Sequence, residues 1–133
     1  MTERGYEPIP ADVEVLAKNV VDAAFNVHKT LGPGLLESVY EACLNHELKK
    51  RGCRVATQVP VPVVYDGMRL DAGLRLDLLV EDKLIVEVKS VERMNPVYDA
   101  QLLTYLKLTG IRLGLLINFN VGVIKQGVKR MVS

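Results

Sequence analysis

Two apolar segments separated by only three residues limit what this chain can fold into. Residues 74–80 and 84–91 both have the composition of β-strands, and Glu81, Asp82 and Lys83 lie between them. Parallel strands need a crossover of a dozen or more residues, so this short connection predicts antiparallel pairing.

Helical patterns come before these strands. Residues 11–31 place apolar side chains three or four apart, and Gly32, Pro33 and Gly34 predict the end of that helix. A second helix is predicted over 35–51, ending at Gly52. Its predicted buried stripe comprises Leu36, Val39, Tyr40, Cys43, Leu44 and Leu48. Residues 54–59 and 61–65 predict a strand that Pro60 and Pro62 interrupt, which favours an edge position.

A third helix and two strands are predicted after the hairpin. Asn95 is a plausible cap with Pro96 at the first helical position, and the helix runs to Thr109. Its predicted core residues are Leu102, Leu103, Leu106 and Leu108. Residues 112–118 predict a strand buried on both faces, and 121–132 predict a final strand or hairpin arm. This order predicts an α/β (α+β) sandwich with a central mixed β-sheet flanked by helices, a single domain over 1–133 with 1–10 as a flexible arm.

Composition and charge exclude several classes of protein. The net charge is +1, which disfavours a domain that holds nucleic acid by bulk electrostatics. No apolar run approaches the ~20 residues that cross a bilayer, and the N-terminus does not resemble a secretory signal. Cys43 and Cys53 are expected to be reduced thiols in a cytoplasmic protein. Basic clusters such as 49–51 are interpreted as solvated surface.

Three polar residues interrupt the two apolar strands. Glu87 and Lys89 are two apart, so they point to the same face of their strand. Asp77 could lie across the hairpin beside Glu87, depending on the register. Two carboxylates in a poorly solvated place raise each other's pKa, and a hard divalent cation such as Mg²⁺ removes that repulsion. The alternative is that Glu87 and Lys89 are an ordinary solvent-facing pair and that Asp77 caps a strand end.

The same residues carry a resemblance. Asp77 followed by Glu87-Val88-Lys89 resembles the Asp…(Asp/Glu)-x-Lys core of the PD-(D/E)XK nuclease superfamily. Gln101 and Tyr105 resemble the Gln-x-x-x-Tyr motif of one branch. They are four apart and share a helical face, at the border of the predicted core stripe. Without the resemblance, Tyr105 would be interpreted as a half-buried aromatic with its hydroxyl in water.

An earlier segment resembles the GxxExxY family of that superfamily. Gly34, Glu37 and Tyr40 occupy its named positions, 114–119 resembles its late strand, and the likeness extends from about 13 to 130. Leu76 stands where the superfamily pattern has proline. From the residues alone, Tyr40 is expected in the core and Gly34 to meet a backbone requirement. His28 and His46 are assigned structural or surface positions rather than the site.

The resemblance implies a restriction-endonuclease-like fold and a metal-dependent nuclease with Mg²⁺ or Mn²⁺ as cofactor. Asp77, Glu87, the Val88 carbonyl and Glu37 would hold the metal, with Lys89 as the catalytic lysine. Gln101 and Tyr105 would orient the substrate phosphate. For Glu37, the dipole of its helix is a competing explanation.

The expected substrate is nucleic acid, DNA ahead of RNA, with no membrane association. A non-catalytic nucleic-acid-binding or assembly module that retains the fold is the alternative function. A homodimer or a protein partner that completes the substrate groove is a third possibility.

Overall fold

The computed structural model describes residues 7–71 and 73–133, which form three helices and seven strands. In chain order they are α1 (Ala11–Leu31), α2 (Glu37–Lys50), β1 (Val55–Pro60), β2 (Val63–Tyr65), β3 (Met68–Leu70), β4 (Arg75–Val80), β5 (Leu84–Lys89), α3 (Pro96–Thr109), β6 (Leu113–Asn118) and β7 (Val128–Val132). A 3-10 turn, Ile124–Gly127, precedes β7.

Five of the strands form a mixed sheet in the order β1-β4-β5-β6-β7. The β4–β5 hairpin is antiparallel, as predicted, and β5 and β6 are parallel with α3 as their crossover. The proline-containing β1 lies at an edge, where its missing amide hydrogen costs no ladder bond. The remaining strands, β2 and β3, form a separate two-stranded sheet joined by a turn at Asp66 and Gly67.

Helices cover both faces of the sheet. One core lies between the sheet and α1 with α2, and includes Val20, Leu44, Val86 and Ile117. The other core lies beneath α3. Every residue of β6 is buried, as the apolar run 112–118 predicted. The fold is therefore the predicted mixed α/β sandwich with a restriction-endonuclease-like arrangement.

Local signals for the helix ends are confirmed. The Asn95 side chain accepts a hydrogen bond of 2.9 Å from the Val97 N–H, which caps α3. Gly110 ends that helix in the left-handed conformation, with φ +76°. The second helix starts at Glu37 rather than at residue 35, because Leu36 is still extended.

Two predicted core stripes need correction. In α2, Leu36 before the helix and Val39 within it are exposed, and the buried side chains are those of Tyr40, Leu44 and Leu48. In α3, Leu108 is 41% exposed whereas Tyr105 is buried. The apolar side chains of α3 are distributed over all faces of the helix, so their spacing in the sequence could not identify the face that packs against the sheet.

The first residues of the chain were predicted to form a flexible arm. Residues 1–6 lie outside the described residues. The carbonyl oxygens of Glu7 and Pro8 accept hydrogen bonds from the Arg112 guanidinium, at 2.8 and 3.2 Å. Within the described residues, no helix combines the length and apolar character needed to span a bilayer.

Candidate active site

The strands β4 and β5 separate where the three polar residues lie. Their ladder pairs Leu78 with Val86 but does not continue beyond this point. Instead the Asp77 N–H donates to Glu87 Oε2 at 2.8 Å, and the Val88 N–H donates to Asp77 Oδ2 at 2.8 Å. We call this opening, formed by Asp77, Glu87 and Val88, the fork. The carboxyl oxygens of Asp77 and Glu87 accept hydrogen bonds from backbone N–H groups as strand carbonyls do, so these two side chains replace the ladder here.

Strand alternation also breaks at the fork. Leu76 packs beneath α3, yet Leu78, two residues later, packs on the opposite face with α1 and α2. The neighbouring strand β1 is distorted at the same level, since Gln58 has φ +51° between two regular pairs. This local twist places the Asp77 side chain at the boundary between the two faces of the sheet.

Burial dominates the chemistry of Glu87, which is 6% exposed. Its pKa rises to about 9, first because burial removes water and then because the Asp77 carboxylate repels its charge. The Asp77 N–H and the Lys89 ammonium lower the pKa but do not compensate. In the metal-free protein Glu87 therefore keeps its proton at neutral pH.

The half-buried Lys89 lies at the end of β5, on the same face as Glu87. Its Nζ is 4.5 Å from the centroid of the Tyr98 ring, a cation–π contact that restricts the side chain. Sequence reasoning missed Tyr98. The signal was the Asn95–Pro96 helix start, which brings the first turn of α3 back over the strand that has just ended.

Two carboxylates reach the fork from α2. Burial raises the pKa of Glu37 and Asp77 adds to this, whereas Lys89 and the Ser90 N–H oppose it. Burial likewise raises the pKa of Glu41, with further contributions from Asp77 and Glu37. Sequence reasoning missed Glu41, although it lies four residues after Glu37 and so shares its helical face.

A glutamine connects this second carboxylate to the fork. Gln58 Nε2 donates to Glu41 Oε1 at 2.9 Å and to Asp77 Oδ1 at 3.4 Å. The groove beside these groups is lined by Leu36, Glu37, Ser38, Glu41, Gln58 and Asp77. It is open to solvent, so a substrate could reach the carboxylates from this side.

The two α3 residues predicted for the site, Gln101 and Tyr105, differ in their exposure to solvent. Tyr105 is 3% exposed, so the half-buried interpretation is wrong. Its pKa is raised by burial first and then by the charges of Glu87 and Asp77, whereas a hydrogen bond from the Arg75 backbone N–H lowers it. Gln101 is exposed and makes no side-chain hydrogen bond among residues 7–71 and 73–133.

Structural roles are confirmed for the turn that leads into α2. The Tyr40 hydroxyl donates to the Gly32 carbonyl at 2.5 Å and accepts from the Leu35 N–H at 3.1 Å. Its ring stacks on Phe119 with centroids 4.6 Å apart. Gly34 has φ +98°, the backbone requirement that was expected. Tyr40 thus fixes the start of α2 and, with it, Glu37.

Neither histidine belongs to the fork. His28 is buried and its Nε2 lies 2.7 Å from the Val121 carbonyl oxygen, a structural contact. His46 is exposed on α2.

Comparison with protein families gives a match to the PD-(D/E)XK nuclease superfamily over residues 14–131. The chain belongs to the PD-(D/E)XK nuclease superfamily. The predicted superfamily is therefore confirmed. No curated protein and no solved structure matches the chain.

Nucleases of the PD-(D/E)XK superfamily generally use divalent metal ions. The donor set fits such an ion, because the groups around the fork are carboxylate oxygens, the ligands of hard cations. Asp77 raises the pKa of Glu37, Glu41 and Glu87, and the Lys89 ammonium offsets this only in part at Glu37 and Glu87. In the described parts of the chain, no three acidic, histidine or cysteine side chains already converge at metal-binding distances. A bound ion would therefore require a third carboxylate, such as that of Glu37, to move closer to Asp77 and Glu87.

Proposed function

We propose that this chain is a Mg²⁺- or Mn²⁺-dependent nuclease that hydrolyses phosphodiester bonds, with DNA as the first substrate to test and RNA as the second. The observation that carries this proposal is the fork. A strand pair opens around two carboxylates, and a lysine lies two residues further on. The GxxExxY family, suggested by Gly34, Glu37 and Tyr40, is part of the same proposal.

Asp77, Glu87, the Val88 carbonyl and Glu37 would hold the ion. When bound, the ion supplies Lewis acidity toward the phosphate and lowers the pKa of a bound water. Glu87 must lose its proton to become a ligand, so we expect binding to release a proton near neutral pH. Asp77 is already oriented for this role, because turning away would break the hydrogen bond that its Oδ2 accepts from the Val88 N–H.

Lys89 would hold the attacking water and neutralise charge that develops on the phosphate. The Tyr98 ring supports this role, since it limits the conformations of a side chain that is otherwise flexible. The Tyr105 hydroxyl would orient the phosphate from the α3 side. Gln101, exposed on the same helix, would contact the substrate further from the reacting bond.

The test is cleavage of single- and double-stranded DNA and RNA by the full chain with Mg²⁺ or Mn²⁺. We expect Lys89→Ala to lower kcat by about 10²–10³-fold, as for other groups that stabilise transition-state charge. The control is Lys49→Ala. Lys49 is exposed at the far end of α2, twelve residues or about 18 Å from Glu37, and its removal should change kcat less than about twofold.

Two results would contradict the proposal. One is no metal-dependent cleavage of any of the four substrates, and the other is equal kcat for wild type and Lys89→Ala. Gel-shift binding of nucleic acid without cleavage would instead indicate the non-catalytic module.

A further inference from the structure

Gln58 is in a conformation that its side chain does not favour. Its φ of +51° lies in the left-handed region, where glycine, asparagine and aspartate are the usual residues. The strand is regular on both sides, since Thr57 pairs with Leu78 and Val59 pairs with Leu76. The distortion is therefore confined to one residue, directly beside Asp77. Backbone strain held by well-ordered neighbours is common at functional sites.

The strained residue makes contacts that a regular strand residue would not make. From the left-handed position, Gln58 Nε2 donates to Glu41 on α2 at 2.9 Å and to Asp77 on β4 at 3.4 Å. It contacts Asp77 at Oδ1, whereas Oδ2 accepts the Val88 N–H. The Asp77 carboxylate is thus held from both sides. The oxygen next to Gln58 is the one left for an ion.

Its contribution to folding is limited by its position. The side chain is exposed on an edge strand and contributes to neither hydrophobic core. A residue that is strained and exposed is not explained by packing. The two carboxylates, Glu41 and Asp77, explain why an amide is present at this position. They repel each other, and the neutral Gln58 amide can hold them together by donating a hydrogen bond to each.

We propose that Gln58 is a positioning residue that, anchored on Glu41, fixes the orientation of the Asp77 carboxylate so that Oδ1 can be a ligand of the divalent ion. This inference rests on the proposed function, because it concerns the same site. Gln58 acts through Asp77 and does not itself contact the phosphate. Groups that orient metal ligands in this way typically contribute 10- to 100-fold to metal affinity or activity.

The experiment compares two variants of Gln58 that separate its amide from its backbone strain. Gln58→Leu keeps a side chain of similar size and loses the amide. Gln58→Gly also loses the amide but removes the strain, because glycine adopts positive φ freely. Gln126→Leu is the matched control, since Gln126 is an exposed glutamine in the 3-10 turn. The measurements are Mn²⁺ affinity by calorimetry, the unfolding midpoint in EDTA, and kcat and KM on the cleaved substrate.

We expect Gln58→Leu and Gln58→Gly to weaken Mn²⁺ binding by about 10-fold or more. Their kcat should fall while KM for nucleic acid stays within about twofold, because the substrate contacts are intact. The unfolding midpoint in EDTA should be unchanged in Gln58→Leu and equal or higher in Gln58→Gly. Gln126→Leu should match wild type in all four quantities. A variant that is as stable as wild type and still binds the ion poorly would establish positioning.

The inference is overturned if Gln58→Leu binds Mn²⁺ as tightly as wild type. It is also overturned if the loss of affinity follows a parallel loss of stability in EDTA, which would indicate a folding role. Wild-type chain that binds no Mn²⁺ overturns it as well. If wild type binds Mn²⁺ but cleaves nothing, only the nuclease proposal fails, and the affinities of the variants still decide the role of Gln58.

Discussion

Replacing Glu87 with glutamine should stabilise the metal-free protein and abolish its response to metal. Glutamine has nearly the same shape as protonated glutamate. Its carbonyl oxygen can accept the Asp77 N–H that Glu87 Oε2 now accepts at 2.8 Å. Its amide can donate to the Asp77 carboxylate, as the carboxyl proton of Glu87 would. Glu87→Gln therefore fixes the fork in its protonated form at every pH.

The size of the effect follows from the raised pKa. In the folded protein the pKa of Glu87 is about 9, against 4.5 for an ordinary glutamate. Above pH 4.5 the unfolded chain loses this proton and the folded chain keeps it. The stabilising contribution is thus complete below pH 4.5 and is lost as the pH rises toward 9. At about 1.4 kcal/mol per pH unit, the loss is on the order of 3 kcal/mol by pH 7.

The assay is urea unfolding in EDTA between pH 4.5 and 8.5, followed by the same titration with Mn²⁺ at pH 7.5. Without metal, Glu87→Gln should equal wild type at the acidic end and exceed it by a margin that grows with pH. With metal, wild type should gain stability through ligand binding and Glu87→Gln should gain little. Parallel pH profiles for the two proteins would show that Glu87 is not a buried, protonated carboxyl. A variant less stable than wild type at pH 7 would contradict the reasoning in the same way.

Two further predictions concern the scaffold. Gly127→Ala should lower the free energy of unfolding by about 2–3 kcal/mol, because its Cβ would overlap the Asn118 carbonyl oxygen, whereas Gly122→Ala, whose Cβ meets nothing within 4 Å, should be neutral. Thermal unfolding of the pair tests this, and equal midpoints would refute it. Tyr40→Phe should cost about 1–2 kcal/mol, since the Leu35 N–H and a turn carbonyl lose their partner. Urea unfolding measures that loss, and an unchanged midpoint would mean that water replaces the hydroxyl without cost.

Much of the fold could be predicted because its signals are local. The three residues between 80 and 84 permit only antiparallel pairing of the two strands. Asn95 and Pro96 together indicate the start of α3, and the helix begins at Pro96. The proximity of Asp77 and Glu87 followed from the same hairpin. The predicted final strand, 121–132, is too long, because β7 spans only Val128–Val132 and a 3-10 turn, Ile124–Gly127, precedes it. The hydrogen bonds of this turn depend on the path of the chain after β6, and the spacing of apolar residues in the sequence carries no information about that path.

The rest of the site could not be predicted, since it depends on contacts between distant elements. Glu41 meets Asp77 only because α2 crosses the sheet beside β1, and no spacing in the sequence specifies that crossing. Tyr98 reaches Lys89 through the angle at which α3 leaves the strand. The positive φ of Gln58 has no sequence signal, because glutamine is not a residue that normally indicates a left-handed turn.

The hydrogen bonds of the fork have a consequence for metal selectivity. Asp77 and Glu87 each have one oxygen occupied by a backbone amide, so each has a single oxygen left to donate. While these bonds persist, the bidentate mode is disfavoured for both carboxylates, because the amide competes with the ion for one of the two oxygens. Ca²⁺ takes six to eight oxygens and often uses bidentate carboxylates, whereas Mg²⁺ accepts an octahedron of single oxygens completed by water. The two hydrogen bonds from backbone amides should therefore make this site prefer Mg²⁺ to the larger Ca²⁺.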